Sequence, residues 1–225
     1  MSDNPRQPVL HLIACSVEAA PDLEPFIRTC QELGWDVHAI VSPTSTHPVD
    51  RDVLARLTGH PVCEDDQLGS IRSLPPAGAY AVAPASFEIV NKWAYGNNDN
   101  LALRLLNDAT GLGLPIVAIP APGPALARHP AFLESVARLR AWGVTVVFDP
   151  AQQPLPGCRE TDDHDRPFPW HVATQVIAHW TRFARIPAPG TYQGEFVEPG
   201  DLPAQRRDDL ALLAPQSLPV MPLAS

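Results

Sequence analysis

The chain predicts an α/β fold, a parallel sheet with helices on both faces, followed by a proline-rich C-terminal arm. Two observations carry this expectation. Short apolar runs of strand length alternate with segments of helical periodicity through the first 150 residues. Strands separated by helices need crossover connections, which make the sheet parallel. Beyond Asp149 the composition shifts towards Pro, Asp and Gly, the chemistry of loops rather than of further sheet.

The elements follow in order. Val9–Ala14 is an apolar run suited to a buried strand. Over Pro21–Leu33, the residues Leu23, Phe26, Ile27, Cys30 and Leu33 recur at helical spacing, with Pro21 tolerable in a first turn and Gly34 as a stop. Trp35–Val41 is the second strand, Arg51–Leu57 a helix, and Pro61–Cys63 a further short strand. Ala79–Ala83 reads as strand and Phe87–Tyr95 as helix, and Leu101–Ala109 is helical again. Pro115–Ile119 is a strand, Pro130–Trp142 a helix closed by Gly143, and Val144–Phe148 the last clear strand. A long loop over 151–169 leads to a final helix, Trp170–Phe183, with Val172, Val176, Ile177 and Trp180 on one face. From Pro187 onward recurring prolines preclude long regular elements. The expected division is therefore a domain over 8–184 and a tail over 185–225, the tail either disordered or an arm lying on a neighbour.

Bulk properties exclude several function classes. The 225 residues carry a net charge of −9, with pI about 5.2 and no Lys/Arg cluster, which argues against nucleic acid or an anionic membrane surface as partner. The N-terminal MSDNPRQP lacks the basic and apolar regions of a signal peptide, and no apolar run approaches the ~20 residues that span a bilayer. Cys15, Cys30, Cys63 and Cys158 show no CxxC spacing, as expected of a reduced, cytoplasmic chain rather than a disulfide framework or zinc site. Asp162–Asp165, with His164, are consecutive and have no distant ligands to complete a shell, so a solvated loop and no metal site are expected. Proline, at 27 residues, stands well above the usual ~5%.

The stretch Ala83–Leu101, APASFEIVNKWAYGNNDNL, points to a function. A Pro-Ala-Ser turn follows an apolar strand directly, and a second turn carries Asp99 and Asn100. In an open parallel sheet, ligands bind in the crevice outside the carboxyl ends of the strands, where these turns fall. The stretch resembles the flavin-containing cysteine decarboxylases, whose motif P-A-S/T-x-N-x-x-x-K precedes G-x-x-D-N-L. Pro84, Ala85, Ser86 and Lys92 match the first part, and Gly96, Asp99, Asn100 and Leu101 the second. Residues 120–130 followed by LRAWGVTVV occupy the place of the family's proline-bounded substrate motif. The resemblance covers roughly residues 8–182. It implies a Rossmann-like, flavodoxin-related fold assembled as trimers or larger oligomers, with FMN near a subunit interface.

Carried onto this chain, the resemblance brings the first strand–helix turn, Cys15, Ser16 and Val17, to the FMN phosphate. Helix-start amides and a serine hydroxyl form a natural anion site. Ser42 and Thr44 stand where further phosphate or ribose contacts belong, and Pro84, Ala85, Ser86, Asp99 and Asn100 line the site. The departures are informative. Cys15 replaces the family's glycine, with Glu18 close by, and Ser70 stands where the catalytic histidine is expected. Glu88 replaces the asparagine of the first motif, and Gly123 that of the substrate motif. Serine cannot take a proton near neutral pH as histidine can, and a carboxylate at residue 88 repels an anionic substrate. Standard cysteine decarboxylation is thus not expected.

Each site residue also has a structural reading. Asp99, Asn100 and Ser86 are good helix N-caps, and Trp93 and Tyr95 fit packing better than flavin stacking. His171 and His179 read as ordinary surface or interface histidines. His129 is the remaining histidine placed for acid–base work, and Cys158 lies in the region of the family's flap cysteine, which protonates an enethiolate. Two functions stay open: a flavin-dependent enzyme acting on a cysteine-containing or other small substrate or peptide, and a binding or regulatory homologue. A weaker third is a flavin prenyltransferase, whose basic phosphate-binding residues are not evident.

Overall fold

Apolar runs that continue over both faces of a strand require cover on both sides. The computed structural model, which describes residues 7–15, 23–42, 50–63, 74–152 and 168–183, supplies it. Five strands form one parallel sheet: β1 (Val9–Ala14), β2 (Asp36–Val41), β3 (Ala79–Ala85), β4 (Ile116–Pro120) and β5 (Thr145–Val146). Their spatial order is β2-β1-β3-β4-β5. The described helices are α1 (Leu23–Glu32), α2 (Arg51–Thr58), α3 (Phe87–Ala94), α4 (Leu101–Gly111), α5 (Pro130–Ala141) and α6 (Trp170–Phe183). The α/β, Rossmann-like reading therefore holds.

Strand alternation splits the interior into two layers. On one face Ile13, Ile40, Tyr80, Val82 and Ala118 pack under Ile89, Val90 and Trp93 of α3, Leu103 and Leu106 of α4, and Phe132, Val136 and Leu139 of α5. On the other, Leu10, Leu12, Val37, Ala81 and Val117 pack under Phe26 and Ile27 of α1, Leu54 of α2, and Trp170, Val176 and Ile177 of α6. Each fully buried Leu, Ile or Phe stabilises the fold by about 1.5–3 kcal/mol. Helix α6 is anchored over the second layer by Phe26 and Trp170, whose ring centroids lie 4.7 Å apart. The Trp35 indole N–H, which donates to Thr181 Oγ1 at 2.9 Å, adds a second anchor.

Two strands differ from expectation. β5 is ladder-paired only over Thr145–Val146. The Val147 N–H still reaches Ala118 O at 2.8 Å, but the next donor position on β4 is Pro120, which has no N–H. On the free edge the Arg140 guanidinium takes the carbonyls of Val146 and Phe148 at 2.9 and 2.6 Å. Pro61–Cys63 contributes a single parallel bridge, Cys63 to Ile40, beside β2. All described residues lie in one compact unit. The proline-rich tail lies outside the described residues, as do Ser16, Val17, Glu18, Thr44, Ser70, Cys158 and the Asp162–Asp165 cluster.

Candidate functional site

The strand order places β2 on one side of β1 and β3 on the other, so the direction of the chain's progress across the sheet reverses between β1 and β3. A crevice at such a switch point, outside the carboxyl ends, is where open α/β sheets take ligands. The strand ends here are tied together. The Cys15 N–H donates to Pro84 O at 3.2 Å, the Ser42 N–H to Ala14 O at 3.1 Å, and the Ala121 N–H to Ala85 O at 2.9 Å. The Ala83–Pro84 peptide is cis, and the β3–β4 register shifts between Val82 and Ala85.

Five sequence-predicted residues meet at this end: Cys15, Ser42, Pro84, Ala85 and Ser86. Cys15 is buried, and burial pushes its thiol up to about 12 despite hydrogen bonds from the Ser86 backbone and the Ser42 side chain, with the nearby charge of Glu88 acting in the same upward direction. The thiol is therefore protonated at neutral pH and is a poor nucleophile. Ser86 caps α3, its Oγ accepting from the Ile89 N–H at 3.2 Å. Asn100 caps α4, its Oδ1 accepting from the Leu103 N–H at 2.9 Å.

The motif lysine binds two acids. Lys92 Nζ lies 2.8 Å from both Glu88 Oε1 and Asp99 Oδ2, and these partners raise its pKa, Asp99 foremost. The Glu88 carboxylate is thus charge-paired rather than bare, while the trio keeps one net negative charge. Trp93 is buried, its indole N–H donating to Thr110 Oγ1 at 3.0 Å. Tyr95 is 52% exposed and carries the Arg138 guanidinium 4.3 Å from its ring centroid. His129 caps α5, its Nδ1 accepting from the Ala131 N–H at 3.2 Å, and its ring meets Phe87 edge-on. Gly123 O accepts from the Ala127 N–H, so the stretch at the place of the substrate motif folds into a short turn ahead of α5.

Residues 1–164 match the family model described as Flavoprotein. The chain belongs to this Flavoprotein family. Solved structures that resemble the fold include HAL3 from Cryptococcus neoformans, 18% identical over 78% of this chain and 97% of that one, with a TM-score of 0.60. The FMN-dependent cysteine decarboxylase TvaF from thioviridamide biosynthesis is 20% identical over 76% and 99%, with a TM-score of 0.54. The epidermin biosynthesis protein EpiD from Staphylococcus aureus is 18% identical over 61% and 81%, with a TM-score of 0.53. A search of curated proteins gave no match. This flavoprotein has, among its described residues, no helix long and apolar enough to cross a membrane.

A second cluster lies at the other end of the sheet, and the sequence reading of no metal site did not include it. Asp36 at the start of β2 receives His60 Nε2 on Oδ1 at 2.6 Å and His38 Nε2 on Oδ2 at 3.2 Å. The two imidazoles stack with centroids 3.9 Å apart. His38 is also neighboured by His11 of β1, its cross-strand partner. Burial lowers the His11 pKa to about 4, and His11 Nε2 lies 3.1 Å from Pro75 O. A neutral ring donating there leaves Nδ1 as a buried lone pair, and this atom has no hydrogen-bond partner. The D-x-H pattern on a strand was legible as two residues on one face; its meeting with His60 was not.

Proposed function

We propose that this flavoprotein holds FMN against the carboxyl ends of β1, β2 and β3 as a binding or regulatory homologue and does not perform standard cysteine decarboxylation. The observation that carries the reading is the β1/β3 switch point, closed by the Cys15–Pro84 hydrogen bond and flanked by the cap of α3 at Ser86. The donor set suits a flavin: the hydroxyls of Ser42 and Ser86, and the free amides at the start of α3, which favour an anion. Ser16, Val17 and Thr44 complete the proposed phosphate contacts. Asp99 and Asn100 shape the opposite wall, Asn100 by fixing the start of α4. FMN, when bound, supplies redox chemistry. The FMN-dependent cysteine decarboxylase TvaF, named above, supports FMN as the flavin.

The loss of decarboxylation rests on proton handling and charge. At neutral pH the buried Cys15 thiol is protonated, and His129 uses Nδ1 to cap a helix. Ser70 stands where the resemblance expects a histidine, and a hydroxyl cannot serve as a base near pH 7. Glu88, Lys92 and Asp99 leave a net negative charge where the family motif has a neutral asparagine beside its lysine, which disfavours a substrate carboxylate. A homo-oligomer, most simply a trimer, completes the proposal.

Purified full-length protein should be yellow, with a stoichiometric chromophore that co-migrates with FMN after denaturation. A colourless protein that fails to take up added FMN would overturn flavin binding. Anaerobic mixing of the holoprotein with a cysteine-ended peptide should leave the flavin absorbance unchanged. Bleaching by the peptide would replace the binder reading with an active enzyme.

A further inference from the structure

The Asp36–His38–His60 cluster belongs to no part of the proposed flavin site. It lies towards the amino end of β2 (Asp36–Val41), whose carboxyl end is about 17 Å along the strand from Asp36 and about 10 Å from His38. We propose that Asp36, His38 and His60 bind one divalent transition-metal ion of the zinc class, with the remaining coordination positions open to water.

Ligand geometry is the first argument. One donor atom from each of the three residues lies within 4.8 Å of the other two. Ligand atoms of a tetrahedral zinc, each ~2.0–2.1 Å from the ion, stand roughly 3.3 Å apart. The His38–Asp36 separation of 3.2 Å already meets that spacing, and the His60–Asp36 separation of 2.6 Å needs to open by only about 0.7 Å. Each nitrogen addresses a different carboxylate oxygen, so the carboxylate lies between the two imidazoles and one of its oxygens can turn onto a shared ion.

Donor chemistry is the second. The two rings stack with centroids 3.9 Å apart and bring both Nε2 atoms to one carboxylate, so a dication among them would take a lone pair from each ring and neutralise Asp36. Two imidazoles and one carboxylate suit zinc, cobalt, nickel or copper rather than magnesium or calcium, which prefer oxygen shells.

The surroundings fix the ligands and leave an entrance. Asp36 and His38 are held by the β1–β2 register. Gly59, at φ +76°, ends α2 in the left-handed conformation that favours glycine and turns the chain so that His60 reaches Asp36. The His38 side chain is 10% exposed, whereas those of His60 and Asp36 are 33% and 34% exposed, so the solvent side is where water would complete the shell.

The test is calorimetric titration of chelator-treated full-length protein with zinc sulfate, paired with thermal melts. We expect one equivalent bound with Kd of about 10 µM or tighter, a rise in Tm, and no rise with magnesium chloride. His60→Ala, at a partly exposed position, should fold normally by circular dichroism and lose at least about 30-fold in zinc affinity, as should Asp36→Asn. His164→Ala in the polar loop should bind as wild type, and FMN content should be unchanged in all variants. The proposal falls if wild-type protein binds no zinc below about 100 µM, or if folded His60→Ala and Asp36→Asn bind it undiminished. It falls equally if His164→Ala alone abolishes binding. None of these results bears on flavin binding, which is read separately from the visible spectrum.

Discussion

At the carboxyl ends of β1 and β3 and along the α3–α4 segment that follows, the polar side chains are turned back on the fold: Ser86 and Asn100 cap helices, and Lys92 is held between two acids. At the amino end of β2, Asp36, His38 and His60 are turned on one another, and two of them face solvent. One end of the sheet presents backbone amides and hydroxyls, which suit a neutral ring and a phosphate. The other presents lone pairs and a carboxylate, which suit a cation. In a single sheet the two ends thus separate anion chemistry from cation chemistry, because helix N-termini follow the carboxyl ends of parallel strands. The other end holds what the side chains alone supply.

The largest effect that would sharpen this contrast is alkaline. Burial raises the Cys15 thiol from 9.0 to about 12, and Cys30 in α1 likewise. Both thiols stay protonated in the fold but ionise on unfolding above pH 9, so their contribution is fully present below that pH and is lost as the pH climbs towards 12. At about pH 10.5 each thiol should cost about 2 kcal/mol. Urea midpoints of wild-type protein and Cys15→Ala, taken under reductant from about pH 8 to 10.5, should therefore converge as the pH rises. A gap between the two that is independent of pH would mean that Cys15 is hydrated and that the carboxyl end is more open than described.

Next in size is the Asn100 cap. Its side chain is buried, and Asn100→Ala orphans the Leu103 N–H at the start of α4, which should lower stability by about 1–2 kcal/mol. Asn100→Asp keeps an acceptor beside the helix N-terminus and should recover most of that loss. Equal losses for both variants would show that Asn100 acts through its amide N–H₂, towards a ligand or a neighbouring loop, rather than as a cap.

How much of this was legible follows from where each signal resides. Val9–Ala14 and Trp170–Phe183 were readable to the residue, because local hydrophobic periodicity and their flanking residues determine them. The parallel sheet followed from alternation of elements, and the caps at Ser86 and Asn100 from residue type just ahead of an apolar run. β5 was overestimated because the apolar run Val144–Phe148 says nothing of its partner strand, where Pro120 offers no N–H to continue the ladder beyond the Val147–Ala118 hydrogen bond. Glu88 read as a bare repulsive charge, since its pairing through Lys92 to Asp99 depends on how the loop after α3 returns. The Asp36–His38–His60 cluster was invisible for the same reason: residues 22 apart or more meet only once Gly59 turns the chain beside β2.

The smallest effect tests whether the charged trio governs the carboxyl end at all. Lys92 is partly exposed and its two partners about half exposed, so Lys92→Met should change stability little, and less still in high salt. Its consequence for ligand binding should be clearer than its consequence for folding. Removing the ammonium leaves Glu88 and Asp99 unneutralised near the proposed flavin site, and the affinity for FMN, a dianion near neutral pH, should fall by roughly two- to ten-fold and recover as salt screens the carboxylates. Zinc affinity at Asp36, His38 and His60 should not move in 0.1 M salt, where exposed charges are screened over about 10 Å. If FMN affinity is likewise unmoved at low salt, the trio is a surface ornament of α3 and the anion preference of this end rests on its backbone amides alone.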